Sequence, residues 1–331
     1  MRLIHATVSA LRVLPGLLIA SCSVVMPAQA QVFAPGMALQ ELWNEGEFTE
    51  GVAAGPDGRI FFSDIPSAAD TPGRILVYDK ATGKTTVFSS DSRKSNGLTF
   101  DTAGQLLACC GANNGGQALM RFTSAGTPEL IVGSYHGRPF NAPNDLVVHP
   151  RGFIYFSDPR YVGPEPLTQP QMLVYCWDPS LRLLRVATNA ALKPNGIEVS
   201  PDGGTLYVAE TDNGSAGLPG ETPGPKGRMQ LLALTVAADG RLSSPKVLVD
   251  FGTENGIDGM AVDGSGRIFA AVRSEKRFGI AVYDGTGREL DFLATPALPT
   301  NCGFGVGDDA SFLYITAGKG LYRAQISAVQ K

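Results

Sequence analysis

Residues 140–158, FNAPNDLVVHPRGFIYFSD, decide how the rest of the chain is read. A polar pair, Asn144-Asp145, opens the stretch and apolar Leu146-Val147-Val148 follows. The chain turns at His149-Pro150-Arg151-Gly152 and returns as Phe153-Ile154-Tyr155-Phe156. Two short β-type runs around a Pro/Gly turn describe a hairpin. Variants recur at Glu50-Gly51 (EGVAAGPDGRIFFSD), Asn96-Gly97 (NGLTFDTAGQLLA) and Asn195-Gly196 (NGIEVSPDGGTLYVAE). Two more stand at Asp258-Gly259 (DGMAVDGSGRIFAAV) and Cys302-Gly303 (CGFGVGDDASFLYIT). Eight residues beyond Glu50, Asn96, Asn144, Asn195 and Asp258 stand Gly58, Gly104, Gly152, Gly203 and Gly266, whereas the sixth copy has Ala310. One supersecondary unit is used six times.

Most copies are followed by a third and a fourth β-type run, at residues 74–78 and 85–88, 172–177 and 182–187, 229–236 and 246–251, and 279–283 and 289–293. Four strands per repeat predict an all-β six-bladed β-propeller with four-stranded antiparallel blades. The last repeat offers only three strands, ending with residues 320–326. Residues 39–43 (LQELW) are expected to supply its outer strand and close the ring. A β-sandwich is the alternative, but it leaves the recurrent glycine unexplained.

The bulk numbers agree with one large domain. Apolar residues make up 44% of the 331 and charged residues 18%, so a sizeable core can form, and 40 Gly with 23 Pro suit many tight turns. Residues 1–30 read as an export signal: Arg2 and Arg12 precede an apolar run, and Pro27-Ala28-Gln29-Ala30 ends in an A-x-A cleavage pattern. Residues 31–331 are then the single propeller domain, periplasmic or secreted. Ile19-Ala20-Ser21-Cys22 also fits a relaxed lipoprotein signal that would tether the protein through Cys22. The apolar run is too short and interrupted for a membrane span. The whole chain carries −4, and the part after Ala30 −6, from 25 basic against 31 acidic residues. No basic stripe occurs, which argues against nucleic acid. Cys109, Cys110, Cys176 and Cys302 allow three disulfide connectivities, and Cys176 reads as a small buried apolar residue. A monomer or small oligomer is expected.

Propeller geometry turns the repeat into a site. The innermost strand of each blade lines the channel, so the residue that starts it lies at one mouth and the glycine turn at the other. One mouth should therefore carry Glu50, Asn96, Asn144, Asn195, Asp258 and Cys302. Five of these six offer an oxygen and two carry charge, a set that suits a hard cation such as Ca²⁺. The competing reading is turn chemistry, since Asn-Gly and Asp-Gly open turns routinely; Glu50 does not fit it.

Glu50-Gly51, Pro143-Asn144-Asp145, Pro194-Asn195-Gly196 and Ile257-Asp258-Gly259, in this order, resemble the signature positions of the senescence-marker-protein/gluconolactonase/luciferin-regenerating-enzyme family. The resemblance runs from about residue 39 to 326, and residues 140–161 look most like its bacterial gluconolactonase branch. It implies a six-bladed propeller with one divalent metal at the channel mouth, Ca²⁺ first and Zn²⁺ or Mn²⁺ as alternatives. Carried over by position, Glu50, Asn195 and Asp258 would be ligands and Asn144 a further ligand or substrate contact. Asp258 would be the general base of a metal-dependent hydrolase acting on a small-molecule lactone or related ester. Ala142 stands where animal members place an arginine, so substrate recognition is expected to differ.

Other chemistries find little support. The sequence has no G-x-S-x-G elbow, phosphate loop, dinucleotide fingerprint or H-E-x-x-H. His149 reads as a solvated turn residue on the far face and His136 as a surface-loop residue. Residues 65–73, 111–117, 159–171 and 211–227 should be loops on the site face, the last either a free insertion or a pocket wall. Arg160 and Tyr161 are the expected substrate contacts there, and Asn96 is either one more or a turn residue. The alternatives to a lactonase are a non-catalytic ligand-binding propeller and a phosphoester-type hydrolase on the same metal. A non-catalytic propeller has no need for carboxylates and amides converging on one point.

Overall fold

The computed structural model describes residues 31–34 and 36–327; the expected export segment, with Cys22, lies outside them. Blade one comprises Thr49–Ala54, Ile60–Asp64, Arg74–Asp79 and Lys84–Ser89, and blade two Ser95–Phe100, Leu106–Cys110, Ala118–Phe122 and Pro128–Val132. Blade three runs through Leu146–Val148, Ile154–Asp158, Leu173–Asp178 and Leu183–Thr188, and blade four through Pro194–Val199, Thr205–Thr211, Met229–Thr235 and Lys246–Asp250. Ile257–Val262, Ile268–Ser274, Arg277–Tyr283 and Glu289–Ala294 form blade five. Blade six takes Pro299–Phe304, Phe312–Ala317 and Gly320–Gln325 from the C-terminal repeat and Gln40–Trp43 as its outer strand. Every strand pair is antiparallel, and the fold is the expected six-bladed propeller closed by an N-terminal strand.

The glycine at the eighth position has a backbone reason. Gly58, Gly104, Gly152, Gly203 and Gly266 all adopt positive φ, between 69° and 89°, where a Cβ is disfavoured. The turns they close also use side-chain acceptors: Asp101 Oδ1 takes the N–H of Ala103 and Gln105, and Asp263 Oδ1 that of Ser265 and Arg267. The core is divided into six wedges between neighbouring blades. Phe61, Ile75 and Val77 of blade one meet Leu106, Ala108 and Met120 of blade two. At the closure, Val52, Ile60 and Phe62 of blade one meet Tyr314 and Leu321 of blade six. Trp43, brought in by the outer strand, packs edge-on to Phe62 with ring centroids 5.4 Å apart.

Two expectations are corrected here. His149 is buried rather than solvated: its Nε2 lies 2.8 Å from the Gly203 carbonyl of blade four, and its Nδ1 accepts the N–H of Arg151. Because Nδ1 is the acceptor, Nε2 carries the proton and donates across the blade interface. The second correction is the register of the sixth copy. Thr49 pairs with Asp64 and Val52 with Phe62 in blade one; the counterparts in blade six are Pro299 with Ala317 and Cys302 with Ile315. Cys302 therefore matches Val52, and the mouth position belongs to Thr300, two residues earlier. The Gly303 that suggested the alignment lies inside the strand. The four cysteines are all buried and unpaired, so none of the three disulfide connectivities is realised.

Candidate active site

In four blades the inner strand delivers its mouth residue through the same local irregularity. Pairing slips by one or more residues between Glu50 and Val52, Ser95 and Leu98, Pro194 and Ile197, and Ile257 and Met260. Such a bulge breaks the ladder and re-aims a side chain. A carboxylate at the end of the second strand steadies the approach to it. Asp64 Oδ1 takes the N–H of Glu47 and Phe48, Asp158 takes those of Asn141 and Ala142, and Glu210 takes that of Leu192.

The residue after the mouth position sits in the throat, where the blades come closest. Gly51, Gly97, Gly196 and Gly259 occupy it in four blades, and Asp145 and Asn301 fill the two that remain. A Cβ on Gly97 would stand 2.3 Å from Asp145 Oδ1, and one on Gly259 2.2 Å from Asn301 Cγ. Burial pushes the Asp145 carboxyl up to about 7, opposed by the N–H groups of Leu146 and Ile197 and by the Asn301 side chain.

Above the throat, Glu50, Asn195 and Asp258 come together, each at most 8% exposed. Asn195 Nδ2 donates to Asp258 Oδ1 at 2.7 Å, and Arg273 Nη1 donates to Asp258 Oδ2 at 2.6 Å. Among the described residues Glu50 accepts only the N–H of Gly51, at 3.1 Å. Burial, with the Asp258 charge beside it, raises the Glu50 carboxyl well above its ordinary range. Burial raises Asp258 too, while Arg273 and Asn195 pull it back down. Asn195 Oδ1 is buried and has no hydrogen-bond partner among the described residues. The half-buried amides of Asn96 and Asn144 make no side-chain hydrogen bond among the described residues. In blade six, Thr300 is fully buried and its hydroxyl is spent on the carbonyls of Thr49 and Thr316 and on the Thr316 hydroxyl. That blade adds no free donor oxygen to the mouth.

This set fits a divalent cation. Two buried carboxylates face one guanidinium, so both can ionise at low cost only if a second cation compensates them. The orphaned Asn195 oxygen lies beside them, and hard cations accept carboxylate and amide oxygens together. Among the described residues no three His, Cys, Asp or Glu side chains converge, so an ion here would rely on two carboxylates and amide oxygens.

The loops form a wall around the mouth. Glu165 takes the N–H of Asn113 at 3.0 Å and of Asn114 at 2.6 Å, and Asn113 Nδ2 reaches the Ser67 carbonyl at 2.9 Å. Lys94 Nζ holds the carbonyls of Pro66 and Ala68. The long loop at residues 211–227 is a wall and not a free insertion: a Cβ on Gly217 would stand 2.1 Å from the Tyr161 carbonyl oxygen. Tyr161 lies within reach of the mouth charges. Its hydroxyl donates to the Thr211 carbonyl at 2.9 Å, and burial followed by the Asp258 charge keeps it protonated. Lys193 Nζ sits 4.2 Å from its ring centroid, and burial pushes that amine down to about 8. Arg160 is placed differently from the expectation. Its guanidinium is fully buried and bonded to the carbonyls of Asn141, Gly163 and Glu165, so it ties down its own loop. A cavity of about 480 Å³ is lined by Met172, Leu192, Lys193, Asp212 and Ser215; no mouth residue lines it.

The profile of the SMP-30/gluconolactonase/LRE-like family matches residues 48–319. The chain belongs to this family. Gluconolactonase of Zymomonas mobilis is 27% identical over 246 residues, covering 70% of this chain. The chain spans 63% of that relative's length. A solved Xanthomonas campestris gluconolactonase is 26% identical, with 90% of this chain and 92% of that one covered and a TM-score of 0.75. Regucalcin of Agrobacterium tumefaciens shares the fold at 19% identity and a TM-score of 0.67, covering 88% of this chain and 96% of its own. In the sequence, Arg273, Lys193 and the side chain of Asp145 were assigned no role. Asp145 carried a signal, as the one acidic residue where other copies have glycine. Lys193 carried a fainter one, since Lys94 and Lys193 both stand two residues before a mouth asparagine. Arg273, in the second strand of blade five one residue beyond the quoted fifth copy, carried none.

Proposed function

We propose that this protein hydrolyses a lactone or related ester at a mouth that holds one divalent cation through Glu50, Asn144, Asn195 and Asp258, with Asp258 as the general base. The observation that carries the reading is the buried, unpartnered Asn195 Oδ1 beside two buried carboxylates. The kinship with two gluconolactonases supports the substrate class. Ca²⁺ is the ion this oxygen set favours. When bound, the ion would polarise the substrate carbonyl and acidify water.

The chain's own groups would do the rest. Asp258 is oriented at one oxygen by Asn195 and at the other by Arg273. Burial raises the Asp258 carboxyl, whereas an ion held on it would lower it again; a water acidified by that ion needs only a weak base. Asp258 takes the proton of the attacking water as the new C–O bond forms at the carbonyl carbon. The ring C–O bond then breaks and the proton passes to the leaving alkoxide. Tyr161 and Asn96 stand where they can border the substrate, and the wall of loops limits access of bulk water. Export through residues 1–30 would place the reaction outside the cytoplasm.

A panel of aldonolactones and simple γ- and δ-lactones, assayed on chelator-stripped protein with and without CaCl2, tests the reading. Turnover that disappears on stripping and returns with the ion is expected. No turnover of any lactone with Ca²⁺, Zn²⁺ or Mn²⁺ would overturn it.

A further inference from the structure

We propose that Arg273 is a resident counter-cation of the mouth, competing with the divalent ion for Asp258, so that the protein holds the ion more weakly than its oxygen set allows. The inference rests on the cation reading given above and concerns a residue that is not one of the strand-start positions. Both oxygens of Asp258 are engaged, Oδ1 by Asn195 at 2.7 Å and Oδ2 by Arg273 at 2.6 Å. Glu50 and Asn195, by contrast, each keep an oxygen without a hydrogen bond. Asp258 can therefore take a new cation only by sharing or giving up the guanidinium.

Among the described residues, no other hydrogen bond of normal length fixes the Arg273 side chain. That side chain is 24% exposed, and its one further hydrogen bond among the described residues is a long 3.5 Å approach of Nη1 to the Pro299 carbonyl. The other buried cations of this face are committed elsewhere: Lys94 to the carbonyls of Pro66 and Ala68, Lys193 to Asn213 and Ser215, and Arg160 to its own loop. Arg273 is the cation whose ion-pair partner, among the described residues, is a mouth carboxylate. A guanidinium and a divalent ion on the same carboxylate repel one another, and the burial of the site weakens solvent screening. Each must lower the affinity of the other by the same factor.

The consequence is unusual for a residue of an active-site mouth, because its removal should tighten ion binding. Chelator-stripped wild type, Arg273→Met, Arg273→Gln and Arg273→Lys are titrated with CaCl2 by calorimetry, and the thermal shift on adding CaCl2 is recorded for each. The neutral variants are expected to bind Ca²⁺ about 10- to 100-fold more tightly than wild type. Their apo forms should melt lower and gain more from the ion, while Arg273→Lys should stay near wild type. Arg273→Gln keeps the test open if the methionine variant does not fold. Neutral variants that bind with equal or lower affinity, as expected if Arg273 were only a strut, overturn the proposal. Ca²⁺ binding by none of the four proteins overturns the cation reading itself, a result distinct from the first.

Discussion

Under the proposed mechanism Asp258 would both hold the ion and accept a proton, and its two oxygens are already held by a neutral amide and a charged guanidinium. Asp258→Asn keeps the volume and one acceptor while removing the charge and the base. It should fold, bind the ion more weakly and lose turnover about 10²–10⁴-fold. Near-wild-type hydrolysis by a folded Asp258→Asn would move the base to Glu50. The second residue-scale prediction concerns Asp145, whose carboxyl burial lifts from 3.8 to about 7. The folded protein thus retains a proton that the unfolded chain releases near its lower value. The stabilisation is complete at the acid end and is lost as the pH climbs through about 7. Asp158 and Glu198, raised by burial to about 7 and about 8, add to the same slope. Urea unfolding at pH 5 and pH 8 should show a smaller stability difference in Asp145→Asn than in the parent. An unchanged difference would mean that Asp145 does not titrate as assigned.

At the scale of the strand and its turn, two glycines of the same repeat do different jobs. Gly152, with φ of 89° and nothing within 4 Å of where a Cβ would stand, is needed only for its backbone conformation. Gly152→Ala should cost about 1 kcal/mol. Gly259 has no special φ, but its Cβ would stand 2.2 to 2.5 Å from the Asn301 amide in the crowded throat. Gly259→Ala should cost about 3 kcal/mol, the upper end of overpacking penalties, and should also disturb Asp258 next to it. Equal Tm losses for the two variants would contradict this division.

For the whole molecule, closure is the feature on which the ring depends. Gln40–Trp43 pairs with Gly320–Gln325, and the segment before it is anchored too, with the N–H groups of Val32 and Phe33 on Asp291 Oδ2. A chain starting at Asn44 would expose Gly320–Gln325 as an open edge and uncover Phe62, both of which favour aggregation. Its Tm should fall on the order of 10 °C, whereas a chain starting at Gln31 should match the full-length protein. Equal melting of the shortened and intact chains would show that the outer strand is dispensable.

The architecture was legible in the sequence because it is written six times. A glycine that must take positive φ cannot be replaced cheaply, so its spacing survives and marks every blade but the sixth. The same spacing put Glu50, Asn144, Asn195 and Asp258 at one mouth, since a repeated strand start can only lie at one end of the channel. Two things escaped that logic. The sixth copy slipped by two residues because Gly303 imitates the repeat in sequence, and only strand pairing distinguishes Thr300 from Cys302. Arg273, Lys193 and the buried His149 owe their roles to neighbours 15, 32 and 54 residues away, namely Asp258, Tyr161 and Gly203. Local periodicity fixes which face of a strand a side chain takes. Which charge it meets there depends on how neighbouring blades and loops pack together.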